Sequence, residues 1–276
     1  MSLEHPKKFI EIREVIRKKS PKLAKWIPSP ILSYLERLIH QEDINVIMTK
    51  FADQEGLEFV NSLIQHLEVE VSLEGAENIP LDQPVIFASN HPLGGLDGIA
   101  FMYAIGKYRS DVKFLVNDIL MNIGNLKPLF VPVNKIGGQG KAGIQAIEQA
   151  YASDNALLVF PAGLVSRKNH GVVKDLEWKK SFINKAKRYQ KDIVPVYIEG
   201  NNSNFFYNFA QIRQKIGIKA NLEMIFLPDE LFSQKNKKIK IRIGEKIPYT
   251  YFDQSKNELA WADEVKQIVY GMSQEK

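Results

Sequence analysis

His91 and Asp97 stand on either side of a glycine pair in the stretch Asn90-His91-Pro92-Leu93-Gly94-Gly95-Leu96-Asp97. An imidazole with a carboxylate to orient it can serve as a general base: the ring takes a proton, and the acid fixes the tautomer and steadies the imidazolium. Gly94 and Gly95 permit positive φ, so the chain can fold back and bring Asp97 towards His91. Asp97 also directly precedes Gly98-Ile99-Ala100-Phe101, where it reads equally well as a helix N-cap beside an ordinary loop histidine.

A second segment runs from the apolar Leu157-Leu158-Val159 into Phe160-Pro161-Ala162-Gly163 and on to Ser166-Arg167. Such a turn can present backbone donors, and an arginine offers a forked cation for phosphate or carboxylate; a plain turn with a solvated arginine is the alternative. A third, Pro132 to Lys141, passes through Gly137, Gly138 and Gly140 with Lys135 and Lys141 nearby, which would attract an anion to the helix start that follows. It is not a Walker loop, because Ala142 follows Lys141 and the glycine spacing differs. In the fourth, Val194-Pro195-Val196 leads to Asn201-Asn202-Ser203-Asn204, which reads first as turn and N-cap chemistry. Trp178, Phe205 and Phe206 read as core.

Both leading segments leave the carboxyl ends of apolar runs, where α/β sheets present ligands. Strands are expected at 69–74, 85–89, 112–116, 130–133, 156–160, 193–198, 222–226 and 240–243, with helices between them at 98–107, 143–152, 178–189 and 204–215 and a last one at 257–272. The fold class is therefore α/β: a mixed, mostly parallel sheet flanked by helices. Ahead of it, residues 1–67 carry helical patterns at 7–19, from Ile31 to Ile39 and at 53–67, an N-terminal helical appendage to the 68–276 domain.

The chain of 276 residues has no cysteine, which excludes a thiol nucleophile, a disulfide framework and thiolate zinc. Its five histidines are scattered with none at metal-ligand spacing, and no metal is expected. The net charge of +5 sits within residues 1–40, where nine basic residues face four acidic ones, so the rest is neutral. Basic residues beside Trp26, Ile27, Ile31 and Leu32 suit an anionic membrane surface, and simple packing of these helices on the main domain is the competing reading. No recognised nucleic-acid motif accompanies the charge, so nucleic acid is not an expected partner. There is no apolar run of the roughly 18 residues that a membrane span needs and no signal-peptide core near Met1; a soluble or peripheral protein that stays where it is made is expected.

Together, the Asn90–Asp97 and Phe160–Arg167 segments resemble the motifs of the glycerolipid acyltransferase superfamily, whose familiar members are lysophosphatidate acyltransferases. That family pairs Asn-His-x-x-x-x-Asp with Phe-Pro-Glu-Gly-x-x-Ser-Arg. Here five residues separate His91 from Asp97, and Ala162 stands at the glutamate position. With Gly171-Val172-Val173-Lys174-Asp175-Leu176-Glu177-Trp178, these departures look like the hemolysin-like branch, which includes acyltransferases of ornithine and glycine aminolipids. The resemblance implies transfer of a fatty acyl group from an acyl thioester, on acyl carrier protein or coenzyme A, to the hydroxyl of a lyso-lipid, with no bound cofactor. His91 and Asp97 would be catalytic, and Asn90, Lys135, Phe160, Pro161, Gly163, Ser166, Arg167 and Pro195 would bind substrate. The missing glutamate, and a lysine where the family has a phosphate-binding arginine, favour a lyso-ornithine or lyso-glycine lipid over lysophosphatidate. The expected location is cytoplasmic, peripheral on the inner face of the cell membrane. A non-catalytic lipid-binding or membrane-active protein that retains the fold is the alternative.

Overall fold

The computed structural model describes residues 11–19, 26–133 and 140–274. Among the described residues four helices precede the sheet: α1 (Ile12–Lys19), α2 (Ser29–Leu38), α3 (Gln41–Lys50) and α4 (Gly56–His66). The alternating part follows as β1 (Glu70–Glu74), β2 (Val85–Ser89), α5 (Gly95–Gly106), β3 (Val112–Asn117), β4 (Phe130–Val133), α6 (Lys141–Ala152) and β5 (Ala156–Val159). Then come β6 (Arg167–Asn169), β7 (Val172–Lys174), α7 (Ser181–Tyr189), β8 (Asp192–Ile198), α8 (Asn204–Lys215), α9 (Leu227–Ser233), β9 (Lys238–Ile243) and α10 (Glu258–Gly271).

The main sheet has seven strands in the order β1-β9-β8-β2-β5-β3-β4. Among the described strands of this sheet only the β8–β9 pair is antiparallel, so the sheet is mixed and mostly parallel, as its run of apolar strands predicts. β2 lies in the centre, and every one of its residues is buried. One face packs Phe87, Phe114 and Val196 against α3, α4 and α5; the other packs Ile86, Leu157 and Ile193 against α6, α7 and α10. Within the 1–67 region, α3 and α4 insert Ile47, Met48, Phe59, Val60 and Ile64 into the first of these cores.

Several expectations are corrected. Residues 222–226 form a 3-10 helix, not a strand: Glu223 and Phe226 point inward while Leu222 and Ile225 are exposed, a period of three that no sheet face accepts. The helix expected from 53 begins at Gly56, because the side-chain amide of Asn125 takes the carbonyls of Phe51 and Gln54 and holds that stretch as a turn. Trp178 and Phe206 are buried as expected, whereas Phe205 is 57% exposed. The short helices α3 and α9 and the β6–β7 hairpin were not anticipated by periodicity; each is too brief to complete three repeats of its pattern.

Candidate active site

β2 and β5 are neighbours in register, with Ala88 opposite Val159, so the His91 and Phe160 segments leave the sheet at the same level. β2 then turns into α5 on one face, while the chain after β5 reaches α7 on the other. The crevice between such diverging connections is where an open α/β sheet presents a site.

The His91 loop is held from several directions. Asn90 Nδ2 donates to the carbonyl of Ile198 (2.9 Å), and the Ile198 amide donates to Asn90 Oδ1 (2.7 Å), clamping the end of β2 to the end of β8. Gly94 takes φ +77°, and a Cβ there would lie 2.8 Å from Leu227 Cδ2 on α9, so the turn needs glycine for both conformation and space. α5 starts at Gly95, which places Asp97 in its first turn and not at the cap. The carboxylate reaches back: Oδ2 accepts from the Leu93 amide at 2.7 Å and meets His91 Nδ1 at 2.9 Å. Asp97 thus satisfies a backbone donor at the helix start and also pairs with the imidazole.

Asp97 is fully buried, while 16% of the His91 side chain is exposed, so the imidazole alone meets solvent. With the Nδ1 proton given to Asp97, Nε2 carries the ring's lone pair. The ring stacks on Phe160 with centroids 4.0 Å apart at 14°. Phe160 is itself wedged edge-on by Phe114 at 5.2 Å and lies 5.9 Å from Phe101. An imidazole so backed has little freedom to rotate away from its acid.

Phe160-Pro161-Ala162-Gly163 makes a tight turn: the Gly163 amide donates to the Phe160 carbonyl (2.9 Å) and Gly163 takes φ +65°. The Pro161 carbonyl accepts from the Lys179 amide, and Ala162 is buried in the core on the α7 side. Ser166 returns to the histidine, its amide (2.8 Å) and hydroxyl (3.2 Å) both reaching the His91 carbonyl.

Asp175 completes this brace and was not among the expected site residues. Its Oδ1 accepts from the His91 amide (3.2 Å) and the Ser166 hydroxyl (2.6 Å), and its Oδ2 from the Trp178 indole (2.8 Å). Burial pushes its carboxyl up, and the Ser166 and Trp178 hydrogen bonds work against that shift. The signal in the sequence was a carboxylate three residues before a tryptophan, within a stretch noted only for its likeness to one branch.

The other expected residues fall elsewhere. Arg167 is buried: one guanidinium nitrogen donates to the Val165 carbonyl and another meets Glu223 Oε1 at 2.7 Å, while Arg213 holds Glu223 Oε2, also at 2.7 Å. Burial pulls the Arg167 guanidinium down against the opposing pull of Glu223. Pro195 is buried in β8 opposite Ala88, with its ring beside Gly244 on the α10 side, the face opposite α5. Lys135 lies outside the described residues. A cleft of about 360 Å³ adjoins the loop, lined by Asn90, Pro92, Ser166, Tyr197, Asn201 and Tyr270 among others. Among the described residues no three acidic, histidine or cysteine side chains converge as a metal site, and no helix is long and apolar enough to cross a membrane.

Comparison with known proteins returns one family and two near relatives. A family model described as acyltransferase matches residues 14–271. A lyso-glycine lipid O-acyltransferase of Bacteroides thetaiotaomicron is 44% identical over 263 residues, covering 95% of this chain and 97% of that protein. Its counterpart in Phocaeicola vulgatus is 42% identical, covering 95% and 94%. Among solved structures, the 1-acyl-sn-glycerophosphate acyltransferase PlsC of Thermotoga maritima overlays with a TM-score of 0.49 at 15% identity, covering 88% of this chain and 96% of that one.

Proposed function

The chain belongs to the acyltransferase family, within the glycerolipid acyltransferase superfamily, and from that premise we propose that it acylates the hydroxyl of a lyso-glycine lipid by general-base catalysis. The observation that carries the mechanism is the His91 Nδ1 to Asp97 Oδ2 contact of 2.9 Å, made by a fully buried acid and a partly exposed ring. His91 Nε2 takes the proton of the acceptor hydroxyl as its oxygen attacks the thioester carbonyl. Asp97 holds the tautomer and balances the imidazolium. The tetrahedral intermediate collapses with cleavage of the carbon–sulfur bond, and the imidazolium returns its proton to the departing thiol. The donor is an acyl thioester of acyl carrier protein or coenzyme A, and the reaction needs no resident cofactor. The Gly163 amide is engaged with Phe160, so the oxyanion falls to amides at the start of α5, where the helix dipole is positive.

Two features favour an acceptor without phosphate. Arg167, the guanidinium of the second motif, is committed to Glu223. Ala162, at the glutamate position, is packed in the core. The names of both relatives at 44% and 42% identity specify a glycine lipid. A lipid acceptor places the protein on a membrane, and the excess positive charge of residues 1–40 suits the anionic inner face of the cell membrane.

The test is incubation of the purified protein with labelled acyl carrier protein or acyl-CoA and a panel of lyso-glycine lipid, lyso-ornithine lipid and lysophosphatidate. Label should move to the glycine lipid and not when His91→Ala replaces the native protein. Absence of transfer to every acceptor, with lipid binding that survives His91→Ala, would establish the non-catalytic alternative.

A further inference from the structure

The strongest feature that the catalytic reading leaves unused is an apolar surface on α8 and the 3-10 turn after it. The helix buries Phe206, Tyr207, Ala210 and Arg213. The adjacent stripe, Phe205, Phe209, Ile212 and Ile216, recurs at spacings of four, three and four, and only Phe209 in it is partly covered. Phe205, Ile212 and Ile216 are 57%, 59% and 65% exposed, and Ile218, Leu222 and Ile225 extend the surface beyond the helix. Single exposed apolar side chains need no explanation, but six in 21 consecutive positions do.

Along α8 and the turn that follows it the exposed charge has one sign. Residues 204–222 contain no aspartate or glutamate and present Lys215 and Lys219 to solvent, Arg213 being buried. The next acid, Glu223, is buried between Arg167 and Arg213 and presents nothing to solvent. The surface also continues onto α2: Leu38 packs against the cluster of Phe206, Phe226, Phe209 and Met224, while Ile31 and Tyr34 on the same helical stripe remain exposed. It lies one layer from the catalytic loop, since Leu227, two residues after Ile225, fills the space beside Gly94, and Gly200, just before α8, abuts Leu93.

We infer that the outward stripe of α8, with the turn from Ile218 to Ile225, is a docking surface for an anionic lipid bilayer, set beside the His91 loop so that a membrane-borne acceptor reaches the imidazole without crossing water. Apolar side chains enter the boundary between headgroups and acyl chains, and Lys215 and Lys219 meet the anionic headgroups. The purpose assigned to the surface rests on the proposed lipid acceptor; its binding does not depend on turnover.

The experiment is flotation of the full chain with vesicles of phosphatidylcholine alone or mixed with phosphatidylglycerol. Three proteins accompany the native one: a triple variant Phe205→Ser, Ile212→Ser, Ile216→Ser; a double variant Lys215→Glu, Lys219→Glu; and His91→Ala. The triple variant should lose vesicle partitioning by roughly tenfold or more on both membranes. The double variant should lose it mainly on the anionic one, and its difference from the native protein should vanish at high salt, where attraction to and repulsion from the headgroups are both screened. His91→Ala should float like the native protein, so a failure of the catalytic reading would leave this result intact. Ile212 and Ile216 face solvent and Phe205 gives up only its ring contacts with Phe226 and Phe209, so the thermal unfolding midpoint should fall little and the variant should stay folded. Native-like flotation of the triple variant overturns the inference. So does a native dimer that the triple variant converts to monomer, or a loss confined to turnover with acyl carrier protein, since either would give the surface to a protein partner.

Discussion

Replacing Asp97 by asparagine isolates the charge of the acid from its shape. The carboxamide is nearly isosteric, and with its oxygen at the Oδ2 position it still accepts from the Leu93 amide and from His91 Nδ1–H. What disappears is the negative charge facing an imidazolium in the transition state. The 2.9 Å contact puts the charge centres roughly 4 Å apart, where a unit pair at an effective dielectric of about 20 interacts by about 4 kcal/mol. Solvent at the partly exposed ring trims this to about 3 kcal/mol at the lower end, so kcat should fall roughly a hundredfold to a thousandfold. Stability should change by at most about 1–3 kcal/mol, the cost of leaving an amide N–H unpaired where Asp97 Oδ1 now lacks a partner among the described residues. The assay is single-turnover transfer from a labelled acyl thioester to lyso-glycine lipid, with circular dichroism as the check on folding. A folded variant whose rate stays within about fivefold of native, well under the 2 kcal/mol that a thirtyfold loss would require, refutes the general-base assignment.

Three further outcomes follow from the geometry. Glu223→Ala leaves Arg167 and Arg213 buried without their shared acid and should cost about 3–5 kcal/mol in urea denaturation, with Glu223→Gln milder; a loss under about 1 kcal/mol would show that water reaches the guanidiniums. Gly94→Ala puts a Cβ 2.8 Å from Leu227 at φ +77° and should slow transfer by displacing the His91 loop; adding Leu227→Ala should recover part of the loss, and no recovery would count against the clash. At His40, partial burial lowers the pKa, but hydrogen bonds to Asp229 and Asp43 prevail and leave it above the ordinary 6.5. Stability from this pair is full below about pH 6.5 and is lost as pH rises through the folded value, so the melting difference between native and His40→Gln should shrink with rising pH; a constant difference would assign it to stacking on Phe232.

The His91–Asp97 pair was legible because its positions are local. A buried parallel strand reads as an unbroken apolar run, and two glycines between a histidine and an acid announce a fold-back, so β2, its turn and the Asp97 partner could be anticipated from one stretch. The α/β rhythm predicted a mostly parallel sheet but not that β2 and β5 are neighbours, a pairing of strands that do not follow one another in the chain. The brace was not legible, since Asp175 reaches His91 across 84 positions and nothing in its own surroundings marks the destination. Glu223 was hidden in a different way: set among Leu222, Met224, Ile225 and Phe226, it made the segment look like a strand, and the useful clue was that a lone acid in an apolar run needs cations such as Arg167 and Arg213. For Arg167 the sequence shows a charge but not which partner claims it first.

The arrangement around Asp175 has a consequence for how this enzyme can change. A single carboxylate accepts from the His91 amide and from the Ser166 hydroxyl, and the Ser166 amide holds the His91 carbonyl, so two stretches distant along the polypeptide, the His91 loop and Ser166 to Asp175, share one mechanical joint. Losing either Ser166 or Asp175 should cost nearly as much as losing both, and a donor loop grafted around the histidine alone would arrive without its hinge pin. Under the proposed reaction, acceptor preference is free to vary in the cleft walls at Tyr197 or Asn201, whereas Tyr270, whose hydroxyl accepts from the Asp175 amide at 2.7 Å, belongs to the joint that keeps the imidazole aimed.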